Sequence, residues 1–319
     1  MNAMENAANK NAQMTGTTPV ERYGALSVKG NRLVDCKGNA VTLRGVSTHG
    51  LSWYPQYVNQ ESFRFMRDEW GIEVVRLAMY TEEEDGYCVG DDNNRQVLKA
   101  VIDKGVYAAS KLGLYVIIDW HILSDGNPNQ NKEQSLAFFR EMSERYHGYT
   151  NVIYEICNEP NGNVDWPEIK AYANEVIPVI RENDADAVIL VGTPTWSQEV
   201  DKAQADPITG YDNLMYVLHF YADTHREELR SKLEQAHDGG LPIFVSEFGI
   251  CDASGSGAIN VEEADKWIEL LESRNISYII WNLSNKDETS AFFKPSCTKT
   301  EDYDNSDLSE SAKWFIQRK

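Results

Sequence analysis

The sequence predicts a single (β/α)8 barrel, which is an α/β fold, preceded by a short N-terminal β-hairpin. Apolar runs of strand length alternate with segments of helical periodicity, and the alternation repeats eight times without an interposed linker. The length of 319 residues is usual for one such barrel. An open doubly wound sheet is the alternative, but no Gly-rich phosphate-binding turn follows the first strand.

The elements follow one another in a regular order, beginning with the hairpin at residues 23–38. Each predicted strand is an apolar run typical of a strand buried on both faces of a sheet. These strands are at 41–46, 73–79, 114–120, 151–158, 187–191, 214–220, 242–248 and 277–283. The helices that follow them are predicted at 61–70, 95–112, 132–146, 165–182, 197–203, 225–236, 261–273 and 308–317.

Local signals support individual boundaries. The helix at 165–182 is entered through Asp165-Trp166-Pro167, with a capping residue and a proline in the first turn. Pro160 cannot continue a central strand and favours an extended residue before it, so the fourth strand should stop by Glu159.

Residues 1–22 are predicted to form a flexible leader outside the fold, either a processed segment or a cloning remnant, and residues 23–319 a single catalytic barrel. The leader is rich in Asn, Ala, Thr and Met and lacks the basic and apolar regions of a secretory signal. No apolar stretch approaches the roughly 18–20 residues that a membrane span needs.

Composition narrows the possible partners. The net charge of −20 argues against nucleic acid or an anionic membrane and suits a neutral substrate. The five cysteines include no CxxC pair, and their odd number excludes a fully paired disulfide scaffold. Because metal-ligand spacing is also absent, we expect no metal and no cofactor. We also expect the protein to be a monomer.

Functional residues of a barrel gather where the strands end at their carboxyl side. Polar and aromatic residues occupy nearly all of these positions: His49, Arg76, Tyr80, His121, Asn158, Glu159, Trp196, His219, Tyr221, Glu247 and Trp281. Each of them alone is also compatible with rim or core packing. The coincidence of all of them indicates a site at this rim.

Two of these residues are carboxylates that should face each other. Glu159 ends the fourth strand and Glu247 the seventh, and two carboxylates about 5 Å apart are typical of a retaining glycosidase. Arg76 and Tyr221 favour an ionised Glu247. Glu159 has no evident cation and faces a like charge, so it should keep its proton at neutral pH.

The ordered motifs resemble those of glycoside hydrolase family 5, a family of retaining barrel enzymes. Residues 156–160, Ile-Cys-Asn-Glu-Pro, are similar to its acid/base signature. The other matching motifs, in family order, are Leu43-Arg44-Gly45-Val46, Val75-Arg76-Leu77, Asp119-Trp120-His121, His219-Phe220-Tyr221, Ser246-Glu247-Phe248-Gly249 and Trp281-Asn282-Leu283. The resemblance extends over the whole barrel and, within the family, is closest to bacterial endo-1,4-β-glucanases.

This resemblance implies roles for the candidate residues. Glu159 would be the proton donor and Glu247 the nucleophile, and Asn158 would bind the sugar 2-hydroxyl. The residues implied to orient and tune the carboxylates are Arg76, His121, His219 and Tyr221. Those implied to bind substrate are His49, Trp53, Tyr54, Tyr80, Trp196, Ala253, Ser254, Trp281, Lys286 and Glu288.

The expected function is therefore a metal-independent, extracellular endo-β-1,4-glucanase (a cellulase) acting on a β-1,4-glucan or cello-oligosaccharide. Secretion is expected because the substrate is a polymer, although the chain carries no recognisable signal peptide. Another β-glycan, such as mixed-linkage glucan or mannan, stays open as the substrate. A non-catalytic glycan-binding barrel is the alternative from another class, and loss of either carboxylate would mark it; both are present.

Overall fold

The structure, a computed structural model, describes residues 17–318. Eight parallel strands close into a barrel, each pairing with the next in sequence and the last with the first. The strands are β1 Arg44–Thr48, β2 Val74–Tyr80, β3 Tyr115–His121, β4 Val152–Glu155, β5 Val188–Val191, β6 Leu214–Tyr221, β7 Ile243–Gly249 and β8 Tyr278–Leu283. The predicted (β/α)8 fold is confirmed.

A helix follows each strand and covers the outside of the barrel. The helices are α1 Gln60–Trp70, α2 Asp92–Leu112, α3 Lys132–Tyr146, α4 Trp166–Arg181, α5 Val200–Ala205, α6 Glu227–Asp238, α7 Val261–Ser273 and α8 Glu310–Ile316. The start of α4 is as predicted, because Asp165 and Glu168 form a reciprocal capping box with Pro167 in the first turn.

The N-terminal hairpin closes the bottom of the barrel. Its strands, Ser27–Lys29 and Arg32–Val34, pair in antiparallel fashion as predicted. Leu26 and Leu33 pack on the apolar side chains of the lower barrel interior. Residues 1–16 of the predicted leader lie outside the described residues. Its last residues include a short helix, Pro19–Tyr23, whose Val20 N–H donates to the carbonyl of Gly113 at 2.9 Å.

Inside the barrel, side chains change from apolar to charged along each strand. The lower interior holds Val74 of β2, Ile117 of β3 and Ile153 of β4. Because alternate residues of a strand face the same way, the next inward positions on these strands lie one layer higher. They are Arg76, Asp119 and Glu155, all fully buried. The barrel interior therefore places a charged layer directly beneath its carboxyl-terminal mouth.

Several predicted boundaries were wrong by a few residues. Strand β4 ends at Glu155 rather than at the predicted residue 158, and β1 begins at Arg44 rather than at residue 41. Helix α5 begins at Val200 instead of residue 197, because Pro194–Ser197 forms a separate turn. No helix in the described part of the chain is both long and apolar enough to span a membrane.

Candidate active site

A cleft of about 740 Å³ opens at the carboxyl ends of the strands. It lies over the charged layer of the barrel interior. The predicted site residues that line it are His49, Trp53, Tyr80, His121, Glu159, Trp196, His219, Tyr221, Glu247, Ala253, Ser254, Trp281, Lys286 and Glu288. The structure thus brings most of the sequence-predicted residues into one depression.

Glu159 and Glu247 are the two carboxylates on the floor of this cleft. One oxygen of each lies within 4.8 Å of the other and of a ring nitrogen of His219. Both side chains are largely buried, with 12% of Glu159 and 5% of Glu247 exposed. A group this buried and this close to a like charge is costly unless donors hold it or it keeps a proton.

The chain reaches Glu159 through an irregular segment after β4. Past Glu155 the segment leaves the regular ladder, but Ile156 N–H still donates to Leu190 O at 3.0 Å, and Asn158 N–H to Trp120 O at 3.1 Å. A Cβ at Gly192 would lie 2.2 Å from the carbonyl oxygen of Cys157. Glycine there lets the segment bend close to β5, so Glu159 points into the cleft although β4 is short.

A β-bulge in β7 places two consecutive side chains inside the barrel. Val217 pairs with Phe244 and His219 with Glu247, so three steps on β7 oppose two on β6. A regular strand would send Ser246 and Glu247 to opposite faces. In the structure, Ser246 Oγ donates to Glu155 at 2.8 Å while Glu247 accepts from Arg76 at 3.0 Å.

Arg76 is the central cation of the site and is fully buried. Its guanidinium donates through Nε and Nη2 to Glu155 at 2.8 and 3.0 Å, and through Nη1 to Glu247 at 3.0 Å. Nη2 also contacts Asp119 at 3.0 Å and donates to Asn158 Oδ1 at 2.6 Å. One cation thus faces three carboxylates, so at least one acid in this cluster retains a proton near neutral pH.

Glu247 is surrounded by donors that stabilise its anion. Tyr221 donates to Glu247 Oε1 at 2.8 Å, and Arg76 holds Oε2. Burial and the charge of Glu159 nevertheless raise the pKa of Glu247 above its ordinary value, while His219 and Arg76 oppose that rise.

Glu159 has a weaker set of donors. Its only side-chain hydrogen bond among residues 17–318 is with His219 Nδ1, at 2.9 Å. Burial raises the pKa of Glu159 to about 8, with Arg76 opposing and the charges of Asp119 and Glu155 adding to the rise. The surroundings of the two carboxylates therefore differ: two donors stabilise the anion of Glu247, whereas a pKa of about 8 favours the protonated form of Glu159 at neutral pH.

Asp119 and Glu155 belong to the charged layer of the barrel interior and were not among the candidate residues predicted from the sequence. Both lie in the same layer as Arg76, below the rim positions where most of the candidate residues were found. Burial raises the pKa of Asp119 to about 7 although Arg76 opposes the rise. A charged residue inside the apolar strands Val-Ile-Ile-Asp-Trp and Val-Ile-Tyr-Glu was the available signal.

His121 and His219 are both neutral, since burial lowers the pKa of His121 well below its ordinary value and that of His219 to about 4. His121 Nδ1 lies 2.6 Å from Asp119, and His219 Nε2 lies 3.0 Å from Ser246 Oγ. Each ring is therefore held between two polar partners, consistent with the predicted supporting roles of both histidines.

Aromatic rings line opposite walls of the cleft. On one side Trp281 stacks on His121 with ring centroids 5.3 Å apart, and Trp53 lies 4.8 Å from Tyr80. On the other side Trp196 is 45% exposed. It sits on a turn whose residues 195–197 all have φ between 55° and 59°, a left-handed conformation that is costly for residues other than glycine.

A polar group adjoins the first aromatic wall. Lys286 Nζ contacts Glu288 at 2.7 Å, and Asn282 donates to Glu288 at 2.8 Å. His49 Nε2 lies 3.7 Å from Glu288, and burial lowers the pKa of His49 to about 3, so this histidine is neutral. These groups offer both donors and acceptors to a polar ligand beside the rings.

Three predicted site residues lie outside the cleft lining. Tyr54 packs against His49 with ring centroids 5.1 Å apart, and Arg76 lies below the floor. Asn158 is fully buried and donates through Nδ2 to the carbonyl of Ile122 at 3.0 Å. Its contact with a sugar stays a prediction. The cleft also contains residues that the sequence analysis did not select: Glu83, Leu123, Thr195, Gln198, His225, Gly255 and Ser290.

Glu159, His219 and Glu247 are close enough together for a metal ion to be considered. However, His219 bonds to Glu159, and Arg76 and Tyr221 already donate to the two oxygens of Glu247. The donors around the trio stabilise a carboxylate without a metal. We therefore interpret it as a pair of reacting acids with a supporting histidine.

Comparison with known proteins identifies relatives that match most of the chain. A family model described as "Cellulase (glycosyl hydrolase family 5)" matches residues 34–287. Endoglucanase A of Butyrivibrio fibrisolvens is 50% identical over 93% of this chain, and an endoglucanase of Clostridium saccharobutylicum is 47% identical over 90%. The alignments cover 68% and 63% of these two relatives, so this chain spans about two thirds of their length.

A solved structure extends the similarity to three dimensions. The catalytic domain of Thermobifida fusca endoglucanase Cel5A, in a variant complexed with cellotetraose, has a TM-score of 0.87 and 39% identity. The match covers 94% of this chain and 99% of that one.

Proposed function

This chain belongs to the cellulase family, glycosyl hydrolase family 5, and we propose that it hydrolyses internal β-1,4-glucosidic bonds with retention of configuration. The observation that carries the proposal is the separation of Glu159 and Glu247, whose nearest oxygens lie within 4.8 Å. Carboxylates about 5–5.5 Å apart suit attack by one of them on the sugar, whereas inverting enzymes leave about 6.5–9.5 Å for a water. The spacing therefore supports double displacement.

In the first step, Glu247 attacks the anomeric carbon while Glu159 gives its proton to the departing glycosidic oxygen. The leaving sugar takes that proton, and a covalent glycosyl ester on Glu247 remains. In the second step, Glu159, now ionised, removes a proton from water as the water attacks the same carbon. Glu247 leaves as a carboxylate and Glu159 regains its proton, so the enzyme returns to its initial state.

The supporting residues act on these two carboxylates. Arg76 and Tyr221 hold Glu247 in the orientation and charge state needed for attack. His219 orients Glu159 through the 2.9 Å hydrogen bond to its carboxyl group. His121 lies beside Asn158, 3.3 Å from its amide nitrogen, and Arg76 fixes the amide oxygen, which positions Asn158 for its proposed contact with the sugar 2-hydroxyl.

The cleft suits a neutral β-1,4-glucan. Pyranose rings present apolar C–H faces, which Trp53, Trp281 and Trp196 can cover, while Lys286 and Glu288 bind equatorial hydroxyls. A relative of the same fold binds cellotetraose, which supports a linear cello-oligosaccharide as the ligand here. The backbone at Ala253 and Ser254 borders the same wall.

We further propose that residues 23–319 form one catalytic domain and that the enzyme is a monomer. We propose that it acts outside the cell, because a polymeric substrate cannot enter the cell. The acidic balance of the chain, −20 in net charge, supports high solubility and weak attraction to nucleic acid or anionic membranes.

Initial rates on three soluble glycans test the substrate assignment: carboxymethylcellulose, lichenan and glucomannan. The proposal predicts the highest kcat/KM on the substrates with runs of β-1,4-linked glucose. A preference of tenfold or more for glucomannan, with products that end in newly formed reducing mannose rather than glucose, would instead assign a mannanase. No hydrolysis of any of the three, with intact binding of cellotetraose, would indicate a non-catalytic glycan-binding barrel.

A further inference from the structure

A chain of hydrogen bonds runs from the catalytic acid into the barrel interior. Glu159 Oε1 lies 2.9 Å from His219 Nδ1, and His219 Nε2 lies 3.0 Å from Ser246 Oγ. Ser246 Oγ in turn lies 2.8 Å from Glu155 Oε1. Every member except Glu159 is at most 2% exposed, so the direction of each bond is set by protein partners.

The inner end of the chain is an acceptor. Glu155 receives N–H donors from Arg76 on both oxygens, at 2.8 and 3.0 Å. Burial raises the pKa of Glu155, and Arg76 opposes the rise while the charge of Asp119 adds to it. The bidentate hydrogen bonds from the guanidinium to both oxygens stabilise this carboxyl group as the anion. An ionised Glu155 can only accept from Ser246, so the serine hydroxyl points its hydrogen inward.

The direction of that hydroxyl determines the state of the histidine. With its hydrogen committed to Glu155, Ser246 Oγ presents only lone pairs to His219 Nε2. The ring must then carry its proton on Nε2, because a neutral imidazole has one N–H and burial keeps His219 neutral at the pH of catalysis. His219 Nδ1 is left as a bare acceptor facing Glu159.

We propose that Ser246 and Glu155 are positioning residues that fix His219 in the Nε2–H tautomer, so that its Nδ1 accepts the proton of Glu159 and keeps the acid loaded. The inference rests on the proposed role of Glu159 as proton donor. A hydrogen bond to the protonated form of an acid disfavours its ionisation. The bulge in β7 serves both carboxylates, since it brings Ser246 inside beside Glu247.

His121, the other buried histidine of the cleft, has the opposite arrangement. Asn158 Oδ1 accepts from Arg76 at 2.6 Å, so its amide nitrogen faces His121 Nε2 at 3.3 Å. Nε2 of His121 is therefore an acceptor, and its Nδ1–H donates to Asp119 at 2.6 Å. The same cavity thus holds two neutral imidazoles in different tautomers, each set by the partner beneath it.

Other charged groups also act on Glu159, and the test must separate them from the serine. They are Glu247 on β7, Arg76 on β2, Asp119 and His121 on β3, Glu155 on β4, and His219 and Tyr221 on β6. Replacing Ser246 changes none of these charges. Ser246 bonds to His219 and to Glu155, so its effect on Glu159 passes through one of these two groups, and the tautomer of His219 identifies which.

The experiment compares Ser246→Ala with the unchanged enzyme in pH profiles of kcat/KM. Without the serine, His219 is free to move its proton to Nδ1 and donate to Glu159, which stabilises the carboxylate. We expect the basic limb of the profile on cellopentaose to move down by about one pH unit. On an aryl cellobioside with 2,4-dinitrophenol as leaving group, which needs no protonation, the rate of glycosyl-enzyme formation should stay within about twofold.

Two matched variants serve as controls. Ser246→Thr keeps the hydroxyl and should restore the basic limb. Ser277→Ala removes another buried serine hydroxyl of the barrel, one that accepts from Leu43 N–H at 2.9 Å, and should leave the profile unchanged. An unaltered basic limb in a folded Ser246→Ala enzyme, or an equal loss on both substrates, would overturn the inference.

A measurement on the unchanged protein makes the inference testable even if Ser246→Ala does not fold. NMR of protein labelled with ¹⁵N-histidine distinguishes the two tautomers, and the signals of His219 are assigned by their loss in His219→Asn. We expect the Nε2–H tautomer, and an Nδ1–H tautomer would overturn the inference. If Glu159→Gln keeps full activity on cellopentaose, the proposed acid is wrong; if only the tautomer result fails, that role stands.

Discussion

The two carboxylates of the cleft are the same residue type, similarly buried, yet their surroundings differ. Glu247 on β7 accepts from a guanidinium on β2 and a phenol on β6, both of which stabilise an anion. The β4 side gives Glu159 one partner, a neutral imidazole. Burial raises both pKa values and Arg76 opposes both rises, but only Glu247 accepts hydrogen bonds from the guanidinium and the phenol. The proposed roles as nucleophile and acid thus follow from the different donors around each carboxylate, which β2 and β6 supply.

The largest expected effect comes from replacing Glu247, the carboxylate with two donors. Glu247→Gln keeps the shape of the side chain but removes the attacking oxygen, so kcat on cellopentaose should fall by about 10⁴-fold or more. Steady-state rates measure the loss, and an unchanged thermal midpoint shows that the fold is intact. Glu263→Gln, at an outer ion pair with Arg230, is the matched control and should retain full activity.

Glu159→Gln removes only the proton donor, so its effect should depend on the leaving group. Hydrolysis of cellopentaose should fall by about 10²–10⁴-fold. The burst of 2,4-dinitrophenol from an activated cellobioside should persist, because formation of the glycosyl ester then needs no acid. Pre-steady-state absorbance measures the burst. Equal losses in Glu159→Gln and Glu247→Gln on the activated substrate would contradict the division of roles.

Arg76→Lys weakens the hydrogen bonds that stabilise the anion of Glu247. A lysine keeps the charge but cannot bond to Glu155 through two nitrogens while also reaching Glu247. We expect kcat/KM to fall by about 10²-fold and the free energy of unfolding by about 3 kcal/mol. Kinetics and urea unfolding measure the two losses. Arg230→Lys, at the ion pair with Glu263 outside the cleft, should change activity little.

The pH dependence of kcat/KM should report both carboxylates. Activity on cellopentaose should be lost as the pH rises through about 8, because Glu159 must hold its proton. Activity should also be lost on the acidic side as Glu247 gains a proton, at a pH above the ordinary range of a glutamate because burial raises its pKa. Initial rates across pH measure both limbs. A basic limb that persists in Glu159→Gln would assign that limb to another group.

The smallest effect is expected from replacing the exposed ring of Trp196. Trp196→Ala should raise KM for cellopentaose about fivefold with little change in kcat, because the ring binds sugar but touches neither carboxylate. Tyr107→Ala removes an aromatic residue of similar exposure on α2, outside the cleft, and serves as the control. A large loss of kcat in Trp196→Ala would show that the left-handed turn also positions the segment of Glu159.

The barrel and most of the cleft could be predicted from the sequence because they depend on local patterns. Apolar runs mark buried strands, and parallel strands bring their carboxyl ends to one mouth, which was enough to pair Glu159 with Glu247. Asp119 and Glu155 could have been found by counting two residues forward from Ile117 and Ile153, because each is a carboxylate at the next inward position of an apolar strand. Those positions are as informative as the ends themselves.

Other features depend on contacts between distant segments. The inward direction of Ser246 results from the β7 bulge, whose register is fixed by pairing with β6 and β8. The left-handed turn at Trp196 is held by bonds to Pro160 O and, through Ser197, to Asn158 O. Neither has a local sequence signal such as glycine at the positive φ positions.

The central claim, that Glu247 attacks the sugar while Glu159 acts as acid and then base, is tested most directly by the configuration of the first product. Proton NMR during the first minutes of cellopentaose hydrolysis distinguishes the two anomers before they interconvert. The account predicts that the β-anomer of the newly formed reducing end appears first. Initial release of the α-anomer would contradict double displacement and the roles assigned to both carboxylates.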